Sequence, residues 1–298
     1  MTFYFHSFLY VITKFIISCF NVLFLKIYLR LNHNLFNINL LKKSSKFFIL
    51  GSGESINNIS DSQWIEFKKH TTIGLNYFIM NEFVPDIIQI ELQSADDEHI
   101  ENLIKIFYKR ENEFKNSKIL VKSNYLGLKS AIKRIRFFKN LPKSLIKNLV
   151  FTLDFPIFGK NKVEFEKTLK MLSFLGLLNY GGLIFIPHLR ASLGLSVIIG
   201  SRTNHNEIIA VGVDLINTKY FFQDNFFEYE KKFGIKKKFF NINYFQINHD
   251  GNHLTNDKSI HEITIMEALN LFLKISKTNS EVLTFSKKSA LYPTFDEY

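Results

Sequence analysis

The sequence predicts an α/β fold, a Rossmann-like doubly wound parallel sheet, and three observations lead to it. Short apolar runs, typical of buried strands, alternate along the chain with amphipathic helical segments. The first of these runs ends in a turn with two glycines, Gly51-Ser52-Gly53-Glu54-Ser55. Polar residues follow several of the runs, and in such sheets ligands bind beyond the carboxyl ends of the strands.

Each element is predicted from its own pattern. The apolar runs predict strands at Lys46–Leu50, Thr71–Leu75, Asp86–Leu92, Lys118–Lys122, Leu149–Leu153, Ile184–Ile186, Glu207–Val213 and Val282–Phe285. Periodic patterns and capping residues predict helices from Ser60 onward and at Asp97–Phe114, Leu126–Phe138, Asn161–Tyr180, Arg190–Ser201 and Ser259–Ile275. The small residues of Arg190–Ser201 suit a helix pressed onto the sheet. The basic helix Leu126–Phe138 presents either a solvated face or a surface for an anionic membrane or acceptor.

Size and charge narrow the classes of protein. The chain has 298 residues, enough for one large α/β domain with extensions, and its 46% hydrophobic and 22% charged residues are typical of a globular protein. The net charge of +11 favours an anionic partner, but an AT-rich genome also produces such a composition. No nucleic-acid-binding motif stands out, so we predict no nucleic-acid partner. The single cysteine, Cys19, excludes an intrachain disulfide.

The N-terminal segment Phe3–Leu31 is apolar and aromatic, and it is long enough to span a membrane. Lys14 falls near its middle, which favours a helix lying in the membrane interface over a spanning helix or a helix packed on the protein's own core. We therefore divide the chain into a membrane-associated helix and linker (1–45) and a Rossmann-like domain (46–298). A small helical lid is predicted around 215–258 within that domain.

The glycine turn is a candidate phosphate-binding loop. Gly51 and Gly53 would let the backbone approach an anion closely, and Ser55 would lie in the first turn of the next helix, where free N–H groups favour negative charge. The third glycine of the dinucleotide-binding pattern is absent, because Ile56 stands in its place. An ordinary tight turn is therefore the alternative interpretation.

Five weak motifs occur in an order that points to one family. They are Gly51-Ser52-Gly53-Glu54-Ser55, Asn76-Tyr77-Phe78, Arg190-Ala191-Ser192-Leu193-Gly194, Glu207-Ile208-Ile209-Ala210-Val211-Gly212-Val213-Asp214 and His253-Leu254-Thr255-Asn256-Asp257. With this order and spacing, the chain from about Lys46 to Tyr292 resembles bacterial sialyltransferases of glycosyltransferase family 42 and the related CMP-Kdo transferases. The resemblance implies a Rossmann-type fold, a CMP-activated 2-keto acid sugar as the donor, and no metal or other cofactor.

The resemblance also implies donor-binding roles. The turn residues Gly51, Ser52, Gly53 and Ser55 match the loop near the cytidine phosphate. Asn76 matches an asparagine that contacts the donor phosphate and sugar, and Arg190 and Ser192 match a stretch beside the donor carboxylate. Asp214 matches an aspartate near the cytidine ribose.

Two further residues match catalytic positions of the family. Tyr220 is the candidate for a tyrosine that steadies the leaving phosphate. His253 matches the general base, and histidine titrates in the range that activation of an acceptor hydroxyl requires. Catalysis is accordingly assigned to His253, Tyr220 and Asp214.

The chain departs from the family pattern at three places. Glu54 stands where proline is usual, and we expect its carboxylate to face away from a phosphate. Ile216 and Asn217 occupy the vicinity of a missing tyrosine. Glu91-Leu92-Gln93 replaces a loop with asparagine, which hints at a different donor or acceptor. A retaining Kdo transferase would need a carboxylate nucleophile, for which Asp214 and Glu91 are the candidates, with His253 or His249 as acid/base.

The loop around His253 has two other interpretations. His249, His261, Asp250 and Asp257 lie near it in sequence, so a divalent metal site is one alternative interpretation of the cluster. Capping Asp and Asn residues are also common in solvated loops.

The resemblance and the N-terminal helix together predict a metal-independent glycosyltransferase that moves a sialic acid-like or Kdo-like sugar from CMP to a bacterial surface glycan or lipid-linked oligosaccharide. We expect it at the cytoplasmic face of the bacterial inner membrane, in lipopolysaccharide or capsule synthesis. A homo-oligomer is left open. The alternatives are a non-catalytic membrane-associated scaffold of polysaccharide assembly and a Rossmann-type transferase that uses another nucleotide.

Overall fold

The computed structural model of the chain describes residues 2–30, 42–92, 97–122, 135–157, 159, 161–178, 185–189, 191–216, 219–236, 258 and 262–298. These residues contain one sheet of eight parallel strands in the order β6-β5-β4-β3-β2-β1-β7-β8. The strands are β1 Lys46–Leu50, β2 Thr71–Leu75, β3 Ile87–Ile90, β4 Lys118–Lys122, β5 Leu149–Pro156, β6 Phe185–His188, β7 Glu207–Val211 and β8 Glu281–Thr284. The predicted α/β class and parallel sheet are confirmed.

The sheet reverses its direction of growth beside β1. From β1 the chain adds β2 to β6 outward on one side, then crosses back to place β7 on the other side of β1 and β8 beyond it. Connections from β1 and β7 therefore leave the sheet toward opposite faces, as in doubly wound folds. The crevice above the carboxyl ends of β1 and β7 is the switch point of this topology.

Side chains of Ser60, Asn161 and Thr264 cap three of the described helices. The described helices are α1 Thr2–Tyr28, α2 Asp61–Phe67, α3 Asp97–Lys109, α4 Glu111–Phe114, α5 Lys143–Ile146, α6 Lys162–Phe174, α7 Ser192–Arg202, α8 Phe226–Phe233 and α9 Ile265–Ser276. Ser60 and Thr264 close capping boxes at the starts of α2 and α9. The capping box of Thr264 explains why α9 begins later than predicted.

Apolar layers cover both faces of the sheet. Alternate residues of β1 show this, since Phe48 packs in one layer and Phe47 in the other, and both are buried. A strand that is buried on both faces has a continuous run of apolar residues. This is why the strands could be predicted from the sequence. A Cβ on Gly200 of α7 would lie 2.9 Å from the Phe47 ring, so the small residue does let this helix press onto the sheet.

Three predicted segments differ from the structure or fall outside it. The predicted strand Leu149–Leu153 would leave Asp154 beyond its carboxyl end. In the structure β5 continues to Pro156, so Asp154 lies within the strand. The basic helix Leu126–Phe138 lies mostly outside the described residues. Of the predicted lid, the structure describes α8, whereas residues 237–257 are outside the described part.

The helix α1 contacts the domain and also carries an exposed apolar surface. Val11 is buried in one apolar layer of the core, and the partly buried Phe15 and Cys19 pack against the other layer. The exposed large side chains of α1 are Phe8, Leu9, Ile12, Ile16, Phe20, Leu23, Phe24, Ile27 and Tyr28. The segment Phe8–Tyr28 has a mean hydropathy of 2.0 and is long and apolar enough, by length and composition, to cross a membrane.

A buried histidine makes the stability of the fold depend on pH. His205 is 1% exposed beside the ring of Phe47, and its Nδ1 lies 2.8 Å from Thr203 Oγ1. Burial lowers the pKa of His205 to about 4, from an ordinary 6.5. Because the unfolded chain takes up this proton first, the contribution is complete above about pH 6.5 and is lost as the pH falls toward 4.

We expect the free energy of unfolding to fall by about 1–3 kcal/mol between pH 6.5 and 4 through His205 alone. Urea unfolding of the intact chain and of His205→Gln across this range measures the difference. The variant should be less stable at pH 7 and should lose less stability on acidification. Equal pH slopes for the two proteins would show that His205 is not the group responsible.

Candidate functional site

The glycine turn packs directly against the end of β7. The Gly51 N–H donates to Val211 O at 2.7 Å, and the Gly53 N–H donates to Gly212 O at 2.8 Å. A Cβ on Gly51 would lie 2.2 Å from Gly212 O, closer than atoms can approach. The close approach of the two backbones at the switch point therefore requires glycine here, independently of any ligand.

Asp214 ties the end of β7 to the first turn after β1. Its Oδ2 accepts a hydrogen bond from the Ser55 backbone N–H at 3.1 Å, and its Oδ1 accepts one from the Ser55 hydroxyl at 2.5 Å. Ser55 lies in a 3₁₀ helix, Glu54–Asn58, so a carboxylate of the protein itself satisfies a free N–H of that helix. A phosphate at this turn would have to use other N–H groups.

Tyr220 lies against the same turn from the other side. Tyr220 forms an antiparallel β-bridge with Gly53, and the Phe221 N–H donates to Ser52 O at 3.1 Å. The Tyr220 ring stacks on Phe222 at 5.1 Å, and burial raises the pKa of Tyr220 to about 12. Its hydroxyl thus stays protonated at neutral pH and keeps its capacity to donate a hydrogen bond.

Glu54 opens the 3₁₀ helix and faces Lys219. The two charged groups are 3.7 Å apart, and Lys219 also pairs with Asp224 at 2.6 Å. The positive charge of Lys219 partly offsets the carboxylate of Glu54, which stands next to the candidate phosphate-binding turn. Lys219 is a basic group near this turn that the sequence analysis did not single out.

Asn76 joins the ends of β2 and β3. It has a positive φ of 48°, a conformation that asparagine tolerates better than most residues. Its Oδ1 accepts a hydrogen bond from the Glu91 backbone N–H at 3.0 Å. Its side-chain N–H₂ donates to no other residue in the described part of the chain, so this group is available to a ligand.

Ser192 opens α7 and connects it to β3. Its hydroxyl donates to Glu91 Oε2 at 2.7 Å, which places a carboxylate at the N-terminus of this buried helix. The fully buried Gln89 supports the arrangement, because its Nε2 donates to Ser192 O at 3.1 Å and its Oε1 accepts from Ser196 at 2.9 Å. Glu91 therefore links the end of β3 to the start of α7 and, through its backbone N–H, to Asn76.

One buried hydrogen-bonded pair near these residues was not predicted from the sequence. The hydroxyl of Tyr77 and Nδ1 of His99 are 2.6 Å apart, and both side chains are buried. Tyr77 also packs against Phe222, whose ring stacks on Tyr220. His99 lies in the first turn of α3, and its partner Tyr77 is distant in sequence, so no local pattern predicts the pair.

A small cleft of about 110 Å³ opens beside the switch point. Its walls come from the 3₁₀ helix after β1 and from the ends of β7 and β8: Ser55, Asn58, Ile59, Ala210, Gly212, Val213, Asp214, Thr284, Phe285, Ser286 and Ser289. Ser289 donates to Val213 O at 2.6 Å and so fixes the C-terminal segment over this cleft. Asp214 and Ser55 therefore lie in the wall of a concave feature.

The structure thus gathers most of the predicted site residues at one edge of the sheet. Gly51, Ser52, Gly53, Ser55, Asp214 and Tyr220 are joined by direct contacts, and Asn76 and Ser192 are joined through Glu91. Arg190, His253 and His249 lie outside the described residues, so their positions stay predictions. Among the described residues, no group of three His, Cys, Asp or Glu side chains is arranged to hold a metal ion.

No family model matches the chain, and no curated protein matches it. Three solved structures from Campylobacter jejuni are similar to it. The monofunctional alpha-2,3-sialyltransferase Cst-I has a TM-score of 0.44 and 13% identity, over 89% of this chain and 83% of that one. An apo alpha-2,3-sialyltransferase has a TM-score of 0.44 and 14% identity, over 90% and 84%.

The third structure is the sialyltransferase CstII in complex with a substrate analogue, cytidine-5'-monophosphate. Its TM-score is 0.41 and its identity 14%, over 85% of this chain and 84% of that one. All three structures are named as sialyltransferases. The function proposed below depends on the strand ends of this chain and not on that similarity.

The packing of Gly53 predicts a specific effect of alanine. Gly53 has an ordinary extended conformation (φ −71°, ψ 164°), so alanine costs nothing in the backbone. A Cβ would, however, lie 2.4 Å from Asp214 Oδ2, and we expect Gly53→Ala to lower the free energy of unfolding by about 1–3 kcal/mol. Urea unfolding measures the change.

The control is Gly234→Asn, at a left-handed position where no atom lies within 4 Å of an added Cβ and which asparagine tolerates. It should change stability by less than about 1 kcal/mol. If Gly53→Ala were as harmless as this control, Asp214 would not be held against the turn.

Proposed function

We propose that this chain is a glycosyltransferase that uses a CMP-activated sugar. The observation that carries the proposal is the meeting of hydrogen-bonding groups from the ends of β1, β2, β3 and β7 at the switch point of the sheet. Doubly wound sheets bind nucleotides in this crevice. The donor identity, a sialic acid-like or Kdo-like sugar, follows from the sequence motifs.

The groups at the crevice suit a departing phosphate. Tyr220 supplies a hydroxyl that remains protonated at neutral pH, and Asn76 has a free side-chain N–H₂ among the described residues. Such donors stabilise negative charge as it develops on a leaving group. Asp214 accepts two hydrogen bonds from Ser55 but retains further acceptor capacity for a ribose hydroxyl.

The reaction proposed is a direct displacement. The acceptor oxygen bonds to the anomeric carbon while the bond from that carbon to the phosphate oxygen breaks, and CMP leaves with the electron pair. His253 takes the proton of the acceptor hydroxyl as general base. The proposal includes metal independence, because hydrogen-bond donors of the protein, and not a metal ion, would stabilise the negative charge of the leaving CMP.

A retaining transferase is the second candidate. Asp214 and Glu91 are the candidate nucleophiles for it, and the side chain of Glu91 extends from the end of β3 toward the start of α7, where its Oε2 accepts a hydrogen bond from Ser192. That route forms a glycosyl-enzyme bond to one of these carboxylates, which the inverting route does not. Trapping and mass spectrometry of a glycosylated peptide that contains Glu91 or Asp214 would distinguish the two routes.

The enzyme is placed, as part of the proposal, at the cytoplasmic face of the bacterial inner membrane. Its acceptor would be a surface glycan or a glycolipid, as in lipopolysaccharide or capsule assembly. The exposed apolar side chains of α1 support contact with a membrane, since nine large ones lie on this one helix among the described residues.

Activity is tested by incubating the purified protein with CMP-sialic acid and CMP-Kdo and measuring the release of CMP. We expect release with one of these donors, and His253→Ala should lower the rate by about 10²–10⁴-fold because the general base is lost. The matched control is His261→Ala, a histidine of the same region without an assigned role. Thermal stabilisation should be larger with CMP than with UDP, ADP or NAD. Stabilisation by UDP or NAD in preference to CMP would contradict the proposal.

Membrane binding is tested by flotation with vesicles of phosphatidylethanolamine and phosphatidylglycerol. Full-length protein should float, and Phe20→Glu/Phe24→Glu should float at least about tenfold less, because two exposed apolar groups become charged. The control, Phe174→Glu/Phe227→Glu, makes the same change at two exposed phenylalanines of α6 and α8. Equal loss in both variants would count against α1 as the membrane contact.

A further inference from the structure

A second and larger cleft lies on the face of the sheet that α2 and α8 cover. It has a volume of about 420 Å³ and lies between α2, residues 81–83 and α8. Lys68 and Phe83, two of its lining residues, come shortly before β2 and β3 begin. The cleft shares no lining residue with the cleft beside Asp214.

Aromatic rings form the apolar part of this cleft. Trp64 is half-buried and lies 5.0 Å from Phe83 at an interplanar angle of 32°, with Phe67 perpendicular to it at 5.5 Å. Tyr229 of α8 packs against Phe221 and Phe222 at 6.0 Å each. Packing into the core holds these rings in place before any ligand arrives, so they offer a preorganised surface to the C–H faces of a sugar ring.

Polar groups without protein partners surround the rings. In the described part of the chain, neither the Trp64 indole N–H nor the Tyr229 hydroxyl has a hydrogen-bond partner. The same holds, among those residues, for the carboxylates of Asp61 and Glu228. Burial, followed by the charges of Glu82 and Glu228, raises the pKa of Tyr229, so its hydroxyl remains a donor. The cleft thus combines free donors and free acceptors, which is what sugar hydroxyls require.

The charge of the cleft argues against an anionic ligand. Its ionisable lining residues are Asp61, Glu82, Glu228, Lys68 and Lys232, that is, three carboxylates and two ammonium groups. Lys232 lies 3.5 Å from Glu82, so one ammonium group is already paired. In a chain with a net charge of +11, this is a locally acidic site that disfavours nucleotides and phosphates.

From the rings, the unpaired donors and acceptors, and the local charge, we propose that this lateral cleft binds a neutral oligosaccharide. The saccharide stacks on Trp64 and Tyr229 and exchanges hydrogen bonds with Asp61 and Glu228. This binding site is separate from the crevice at the strand ends and does not depend on the proposed CMP-sugar reaction. It would hold a glycan chain on the enzyme at a distance from the reacting sugar.

The chain provides its own reporter for this site, because Trp64 is its only tryptophan. Full-length protein is titrated with lactose, N-acetyllactosamine and maltotriose, without any nucleotide, and tryptophan emission is recorded. We expect a saturable change in emission with at least one of these saccharides. No saturable change with any of them, or an equal change produced by CMP, would overturn the proposal.

Variants separate binding from folding. Tyr229→Phe and Asp61→Asn should each weaken saccharide binding by about tenfold, the effect of about one hydrogen bond, while leaving thermal unfolding within a few degrees of the parent protein. The control Tyr108→Phe changes a tyrosine that is 57% exposed on α3 and should not alter the titration. Unchanged affinity in both cleft variants would also overturn the proposal, whatever the outcome of the CMP-release assay.

Discussion

The two hydrogen bonds between Asp214 and Ser55 hold together the switch point on which the rest of the site depends. They connect the last residues after β7 to the first turn after β1, two segments that are far apart in the chain. The bonds are charge-assisted, and the carboxylate also satisfies an N–H at the start of a helix. Glycine at positions 51 and 53 is the steric condition for this contact, because any side chain there would push the two strand ends apart.

A second chain of hydrogen bonds extends along the same edge of the sheet. Asn76 binds the backbone of Glu91, and the carboxylate of Glu91 accepts from Ser192 at the start of α7. Buried Gln89 then fixes the first turn of α7. Because every member is held by groups from another strand or helix, the edge is preorganised, which is the property that a site for a charged leaving group requires.

The protein distributes its chemistry over separate surfaces. Groups that suit a phosphate meet at the carboxyl ends of the strands, whereas the lateral cleft is locally acidic and aromatic, and α1 exposes apolar side chains. The proposed enzyme would use these surfaces for an anionic donor, a neutral glycan and a membrane, respectively. The cleft beside Asp214 and the lateral cleft share no lining residue, although the ring of Phe222 packs against both Tyr220 and Tyr229.

Local patterns in the sequence determined the strands and most helices. Runs such as Phe47–Leu50 are apolar throughout because both faces of the sheet are covered, and Ser60 begins α2 because its side chain caps the helix. These signals depend on neighbours within a few residues, so they are readable from the chain alone. The order of motifs likewise indicated which strand ends carry Asp214 and Asn76.

Only the tertiary structure decided what those residues touch. The sequence predicts a phosphate-binding role for Gly51 and Gly53. The structure shows that a side chain at either position would collide with the backbone of Gly212 or the carboxylate of Asp214, more than 150 positions away. The pairing of Tyr77 with His99 and the cleft between Trp64 and Tyr229 likewise depend on elements brought together by the crossover of the sheet. Contacts of this kind have no local signature, because the free energy that selects them comes from long-range packing of the two apolar layers.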